Sequence, residues 1–347
     1  MDLRTFIAEI DNRKMLNRID RPVHWKYEIG RMTRESDGAL LFTNVCEYPG
    51  QSVFTGGMRS YGLIAVSLGL EPDIPKGRLL KEMKRRLQCP VSPVMVKQAY
   101  FDRIISGGAI DLQKFPVPWW SEIDGGRFIG TWHLNVTKSP STGKRNIGVY
   151  RMQVLSPSTA SISVSPHSHL KMHMKEAEAR NQDLEMAVCI GVSEAAVMAG
   201  GAAFPSDVDE YSMAGALNQR PVQLVGCRTI DLEVPADSEI VIEGVLKAGK
   251  RVTDGPYLDY AGIPSSNPRA YLFEVKSIMH KKEPVFRGTS VGIPGGEDHQ
   301  MLAVLAQLDL VDFHGSKVRQ KMQNVCLKNR FFSLFQMTGR IGTLIHK

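Results

Sequence analysis

Apolar positions change their period along this chain. Leu3, Phe6, Ile7 and Ile10 recur at i, i+3, i+4 and i+7, the spacing of one helical face. ALLFTNV (39–45) reads as a short apolar strand. SYGLIAVSLGL (60–70) reads as a helix ending at glycine, and LLKEMKRRL (79–87) as another amphipathic helix. This alternation over residues 1–105 predicts an α/β unit. From residue 106 the period shortens to two. In RFIGTWHLNVTK (127–138), Trp132, Leu134 and Val136 alternate with Thr131, His133, Asn135 and Thr137, as in a half-buried strand. SISVS (161–165), MAVCIGV (186–192), VQLVG (222–226), TIDLEV (229–234), EIVIEGVL (239–246) and YLFEVKSI (271–278) are further strand candidates. With helices expected only near 170–181 and 207–219, residues 106–298 predict a barrel or sandwich. No proline follows Pro294, and residues 299–347 read as helix with a basic amphipathic tail (KVRQKMQNVCLKNRFFSLFQ).

One segment disturbs the pattern. As a continuous strand, NIGVYRMQ (146–153) would place Asn146, Gly148 and Tyr150 on one face and Ile147, Val149 and Arg151 on the other. An arginine would then share a face with two β-branched aliphatics.

Composition narrows the function classes. A chain of 347 residues exceeds one ordinary core, so two domains are expected. Hydrophobic content of 43% and charged content of 23% describe a soluble globular protein, and no run approaches a membrane span. MDLRTFIAEIDNR lacks the apolar core of a signal peptide. Cys46, Cys89, Cys189, Cys227 and Cys326 form no CxxC pair, which suits a reducing cytoplasm and argues against a structural zinc. The net charge of +7 arises from 43 basic and 36 acidic residues. Basic residues concentrate at 76–86 and after residue 316, without interleaved aromatics. These read as solvated helix faces, and no nucleic-acid partner is expected.

Three stretches carry candidate chemistry. PHSHLKMH brings His167, His169 and His173 together, but a metal site would need an acidic or amide partner from elsewhere, with Asn146 and Glu210 as candidates. TDGPYLDYAG carries Asp254 and Asp259, and Gly255-Pro256 argues against a regular strand there. A turn could aim both carboxylates at one point; a polar loop is the alternative. GTSVG (288–292) fits G-x-S-x-G, with Asp298, His299, Asp312 and His314 downstream. That motif needs a helix directly after the serine, which Ile293-Pro294-Gly295-Gly296 blocks.

Taken in order, five blocks resemble the UbiD family of reversible decarboxylases, which use prenylated FMN. They are ALLFTNV with GGMRSYGLIAVSLG, DGGRFIGTWHLNVTKSPSTGKRNIGVYRMQ, DEYSMAGALNQRPVQLV, VPADSEIVIEG and DGPYLDYAG, and the likeness runs from residue 1 to about 305. The resemblance implies an N-terminal mixed α/β domain (1–105), a central split β-barrel flavin-binding domain (106–298) and a short helical C-terminal segment (299–347). It implies that Asn146 and Glu210 ligate a divalent cation, usually Mn2+, that also holds the flavin phosphate, with K+ a further candidate ion. His169 would be the third ligand, with His167 the near alternative. Ile147, Gly148, Val149 and Tyr150 would lie along the cofactor, with Ser168 beside it. Arg151 would pair with Asp254 and Asp259, where the family's E-x-x-x-x-E or E-x-x-x-x-D becomes D-x-x-x-x-D. Asp259 would donate the proton.

The implied substrate is an aromatic or α,β-unsaturated carboxylic acid, by default a 4-hydroxy-3-polyprenylbenzoate of quinone biosynthesis. A flavin prenyltransferase would supply the cofactor, and a homo-oligomer is implied. The basic amphipathic tail could favour a lipid-associated substrate through peripheral membrane association, although a helix packed on the core is the preferred reading. Typical members continue into a third α/β domain, so the end at Lys347 implies a compact subgroup or a missing domain. Two other classes stay open: a flavin-binding split-barrel protein without decarboxylase activity, and a basic nucleic-acid-binding protein.

Overall fold

The computed structural model describes residues 1–97, 101–292 and 295–308. Its helices are α1 (Leu3–Asn12), α2 (Glu28–Glu35), α3 (Tyr61–Ser67), α4 (Lys76–Leu87), α5 (His169–Ala179), α6 (Glu194–Gly201), α7 (Glu210–Asn218) and α8 (Glu297–Gln307). The strands are β1 (Leu16–Ile19), β2 (Ala39–Phe42), β3 (Ser52–Thr55), β4 (Val94–Met95), β5 (Arg103–Ser106), β6 (Phe128–Gly130), β7 (His133–Lys138) and β8 (Arg145–Gly148). They continue as β9 (Met152–Ser156), β10 (Thr159–Ile162), β11 (Leu184–Ile190), β12 (Gln223–Gly226), β13 (Glu233–Pro235), β14 (Ile240–Leu258), β15 (Pro264–His280) and β16 (Val285–Arg287).

The N-terminal unit forms as its pattern predicts. Asp2 caps α1 by accepting the Thr5 N–H, and Leu3, Phe6, Ile7 and Ile10 are buried. They pack with Leu41 of β2 and Phe54 of β3. The sheet beneath runs β1-β2-β3-β16. Its last strand comes from residues 285–287, so this layer joins both ends of the described chain. Similarly, β5 pairs with β15, which ties the segment around residue 105 to the large sheet.

That large sheet has nine strands, in the path β6-β9-β10-β15-β14-β11-β7-β8 with β5 alongside β15. It is a curled half-barrel, and the long hairpin β14–β15 is its spine. A third sheet, β13-β12-β4, flanks it.

The sheet departs from the sequence pattern in three places. RFIGTWHLNVTK is two strands, broken at Thr131-Trp132. β7 is buried on both faces rather than half-buried. Trp132, Leu134 and Val136 pack with α6 residues such as Val197, while Thr137 on the other face bonds His173 of α5 at 2.9 Å. α6 was not predicted: EAAVMAGG is apolar all round, because it is enclosed between β7, β8, α7 and α8. Finally, NIGVYRMQ is not one strand. β8 ends at Gly148 and β9 begins at Met152, so Arg151 leaves the sheet before it can occupy an apolar face. The expected helices near 170–181 and 207–219 are α5 and α7. α8 opens at Glu297, and residues 309–347, including the basic tail, lie outside the described residues.

A fully buried ion cluster fastens these layers. Arg287 at the end of β16 donates through Nε to Glu194 of α6 at 2.9 Å, and through Nη1 and Nη2 to Glu297 of α8 at 2.9 and 2.6 Å. Glu194 also accepts the Trp132 indole N–H at 2.7 Å, and Glu297 accepts the backbone N–H groups of Gly56 and Met58 at 2.9 and 3.1 Å. All three charged side chains are about 1% exposed. Removing the cation strands two carboxylates in an apolar interior. Arg287→Ala should therefore cost about 3–5 kcal/mol of unfolding free energy, read from urea denaturation. A loss below about 1 kcal/mol would show that the cluster is not what holds the layers together.

Candidate functional site

Two polar clusters lie at opposite ends of the segment 146–151. The first forms where β8 meets two helix N-termini. Ser168 caps α5 by accepting the Lys171 N–H, which makes His169 the first residue of that helix. Glu210 is the first residue of α7. The His167/His169 pair therefore sits at a loop-to-helix junction rather than on one strand face.

His169 Nδ1 lies 3.1 Å from Asn146 Oδ1 and 3.9 Å from Glu210 Oε1, and the Ile147 N–H donates to Glu210 Oε2 at 3.4 Å. Burial raises the Glu210 pKa to about 7, with Arg145 pulling it back, and burial lowers that of His169. Asn146 is buried, and its Nδ2 has no hydrogen-bond partner among the described residues. An amide oxygen, a neutral imidazole and a carboxylate thus converge within 4 Å. These donors fit a divalent cation such as Mn2+. The N-termini of α5 and α7 supply the positive dipole ends that favour an anion beside it. Tyr150 folds back over Gly148: a Cβ there would stand 2.5 Å from the Tyr150 ring, which requires glycine.

The second cluster answers why an arginine occurs here. Arg151 Nε donates to Asp254 Oδ1 at 2.6 Å, Nη1 to Ser265 Oγ at 2.8 Å and Nη2 to the Ser265 carbonyl at 3.3 Å. Ser161 Oγ donates to Asp254 Oδ2 at 2.8 Å, and the guanidinium lies 5.2 Å from the centre of the Tyr257 ring. Asp254 is wholly buried; burial raises its pKa while Arg151 and Ser161 oppose the shift. Ser161 and Ser265 carry no sequence signal for this role, since only the β10–β15–β14 arrangement brings them in.

Two expectations for DGPYLDYAG need correction. β14 runs through the Gly255-Pro256 pair to Leu258, with register shifts on both sides of Asp254 that absorb the proline. Asp259 lies beyond the strand end and does not reach Arg151. Its Oδ1 accepts the N–H groups of Ala261 and Ile263 at 2.9 and 3.2 Å, capping its own turn. The two carboxylates do not converge in this conformation.

A third carboxylate stands under this turn. Asp124 is buried, accepts the Leu258 N–H at 3.0 Å, and neighbours Arg34 and Arg151. It opens the DGGRFIGTWHL block, where no role was expected of it. Ser290 of GTSVG is buried and accepts from Arg34 Nη1 at 3.0 Å, and Val291-Gly292 after it are not helical, so no nucleophile elbow forms. Of its downstream residues, Asp298 and His299 lie on α8. Asp312 and His314 lie outside the described residues.

The curled sheet with helices on both faces, with a donor corner and an Arg–Asp pair at the two ends of one segment, defines a mixed α/β protein with a half-barrel site. Comparison with known proteins makes this specific. Residues 7–84 match the 3-octaprenyl-4-hydroxybenzoate carboxy-lyase N-terminal domain, and residues 94–294 its Rift-related domain. The chain belongs to the UbiD family. It is 32% identical over 322 residues to an uncharacterized protein of Aquifex aeolicus, covering 86% of this chain and 66% of that one. It is 27% identical over 309 residues to the phenolic acid decarboxylase of Escherichia coli O157:H7, covering 85% and 65%. Among solved structures, the UbiD-class enzyme HmfF from Pelotomaculum thermopropionicum in complex with prFMN shares 29% identity at a TM-score of 0.82, covering 88% of this chain and 71% of that one. Vanillic acid decarboxylase from Sedimentibacter hydroxybenzoicus shares 27% at a TM-score of 0.84, covering 88% and 67%. The chain thus spans about two thirds of the length of the curated relatives it matches. No helix among the described residues is long and apolar enough to cross a membrane.

The Asp124 site predicts a pH dependence. Burial raises its pKa from 3.8 to about 6, so the neutral carboxyl is the form that folding favours. Its contribution to stability is present below about pH 4 and is lost as pH rises toward about 6, a change of about 2–3 kcal/mol. Asn keeps the acceptor for Leu258 without titrating. Urea melts of Asp124→Asn should lack this decline relative to the parent, and parallel curves for the two proteins would refute the assignment.

Proposed function

We propose that this protein is a prenylated-FMN-dependent decarboxylase of an aromatic or α,β-unsaturated carboxylic acid. One observation carries the reading: a single six-residue segment has a three-donor corner at Asn146 that would suit a cation, and a partly buried ion pair at Arg151. A divalent cation, Mn2+ by preference, would be held by Asn146, His169 and Glu210, with the flavin phosphate beside it at the helix N-termini. Ile147, Gly148, Val149 and Tyr150 would line the cofactor, with Ser168 alongside. The flavin supplies the electron sink that loss of carbon dioxide from an unsaturated carbon requires.

The chain's own residues bind, orient and protonate. Asp254 holds the Arg151 guanidinium by charge, and Ser265 fixes its plane. Asp254 and Ser265 together engage all three guanidinium nitrogens, so Arg151 would help position a substrate carboxylate through the one Nη1 N–H they leave over. Asp259 is the proposed proton donor, and reaching the substrate carbon requires its turn to reorganise from the self-capped form. The relatives' names favour a phenolic acid, such as a 4-hydroxybenzoate carrying a prenyl chain, as the substrate. A flavin prenyltransferase would supply the cofactor, and the working form would be a homo-oligomer in the cytoplasm.

Glu210→Gln keeps the shape of the corner but removes its anion. Metal content by elemental analysis and flavin content by absorbance should fall together, by about tenfold or more. Full retention of both would disprove the ligand set.

The carboxylates are tested separately. Asp259→Asn, loaded with cofactor, should fold normally and lose at least about 10²-fold in turnover, with a parallel loss of solvent deuterium exchange into the product. Turnover at the parental rate would exclude Asp259 as the acid. Asp254→Asn should instead reduce flavin occupancy and destabilise the Arg151 side chain, since it removes the charge that orients it.

A further inference from the structure

β8 stops at Gly148 although Val149 and Tyr150 are good strand formers. β7 also has backbone beyond the last shared rung. Asn135 is opposite Gly148, so continued antiparallel pairing would set Val149 against Leu134 and Tyr150 against His133. The chain instead crosses, in residues 149–151, from one end of the eight-strand path to the other, where β9 pairs with β6 and β10. The two ends of the curled sheet meet here. The crossing leaves the Tyr150 N–H without a strand carbonyl in a buried region, which is costly unless another acceptor takes it.

Asn135 supplies that acceptor. Its side chain is wholly buried. Its Oδ1 accepts the Tyr150 N–H at 3.2 Å and lies 2.9 Å from His133 Nε2. Its Nδ2 faces the sulfurs of Met152 on β9 at 3.2 Å and Met186 on β11 at 3.8 Å. An oxygen can only accept, so His133 carries its proton on Nε2, and burial lowers the His133 pKa to about 4, keeping the ring neutral. One side chain on β7 thus touches the start of β9 and the crossing itself.

We propose that Asn135 is the positioning residue of the site: its Oδ1 replaces the strand carbonyl that Tyr150 would otherwise use. The substitution releases the chain from β7 at the point where Tyr150 must fold over Gly148 and Arg151 must turn toward Asp254. Asn135 touches neither partner of that ion pair and acts through the backbone. The consequence for cofactor binding rests on the flavin reading above; the backbone clamp does not.

Amide hydrogen exchange on the full chain tests the clamp, and FMN titration followed by flavin fluorescence tests its consequence. In the parent protein the Tyr150 amide should be protected to the level of the β7 ladder amides, although it lies outside any strand. Asn135→Leu keeps the branched shape and removes the acceptor; it should speed Tyr150 exchange about tenfold or more, weaken FMN binding about tenfold, and leave the far-ultraviolet circular dichroism unchanged. Asn135→Asp retains the accepting oxygen and should restore protection and affinity toward the parent. The proposal is overturned if the parent's Tyr150 amide exchanges like an open loop, or if Asn135→Leu leaves both readouts unchanged. Should the variants fail to fold, the parent measurement decides alone. A parent protein that binds no FMN would sink the flavin reading while the exchange result still judges the clamp.

Discussion

The buried Arg287 cation is the constraint on which the layers depend. A guanidinium in an apolar interior is tolerable only when its charge is balanced and its donors are satisfied. Here Glu194 and Glu297 do both, and each carboxylate recruits further donors from the Trp132 indole and the backbone at Gly56 and Met58. The donors come from the N-terminal sheet and the β6–β7 corner, and the accepting carboxylates from α6 and α8. Satisfying one ion therefore brings four separate parts of the chain into a single arrangement. The Trp132 and Phe54 rings close over the guanidinium at 4.6 and 5.1 Å, which excludes water and makes the geometry more demanding.

On that frame the site is built from interruptions. β8 ends early, β14 changes register around Asp254, and α5 and α7 begin where their first residues face Asn146. Regular ladders would have spent the backbone groups of 146–151 on pairing. Breaking them frees one end for the corner of Asn146, His169 and Glu210 and the other for an arginine, while Asn135 and Asp124 take the N–H groups that the breaks leave over. The electrostatics follow the same division. At the corner, burial pushes Glu210 up and His169 down. At the far end Asp254 already has its cation, and Arg151 opposes the effect of burial.

Much of this was legible in the chain. The helical period located α1, and the amphipathic pattern α4, because each buries one defined face. α3, α5 and α7 were expected without a strict period, and alternation located central strands, of which β7 and β11 are buried on both faces. The ordered blocks NIGVYR, DEYSMAGAL and DGPYLDYAG marked Asn146, Arg151, Glu210 and Asp254, residues the fold brings into two clusters. Asp259 was harder, because whether a carboxylate reaches across or caps its own turn depends on N–H groups only four residues away. α6 left no periodic signal, being enclosed on every side.

The sequence alone thus determined which segments pair or coil and which residue types could carry a cation or an ion pair, because periodicity and chemistry are local properties. Tertiary structure alone decided where the ladders break. That decision rests on buried donors finding acceptors on other elements of the fold: Tyr150 on Asn135, Leu258 on Asp124, and Arg287 on Glu194 and Glu297. No window of sequence contains both members of the longer pairings, 93 residues apart for Arg287 and Glu194 and 134 for Leu258 and Asp124. The cost of leaving any of these groups unpaired in the interior is what selects the one arrangement that satisfies them together.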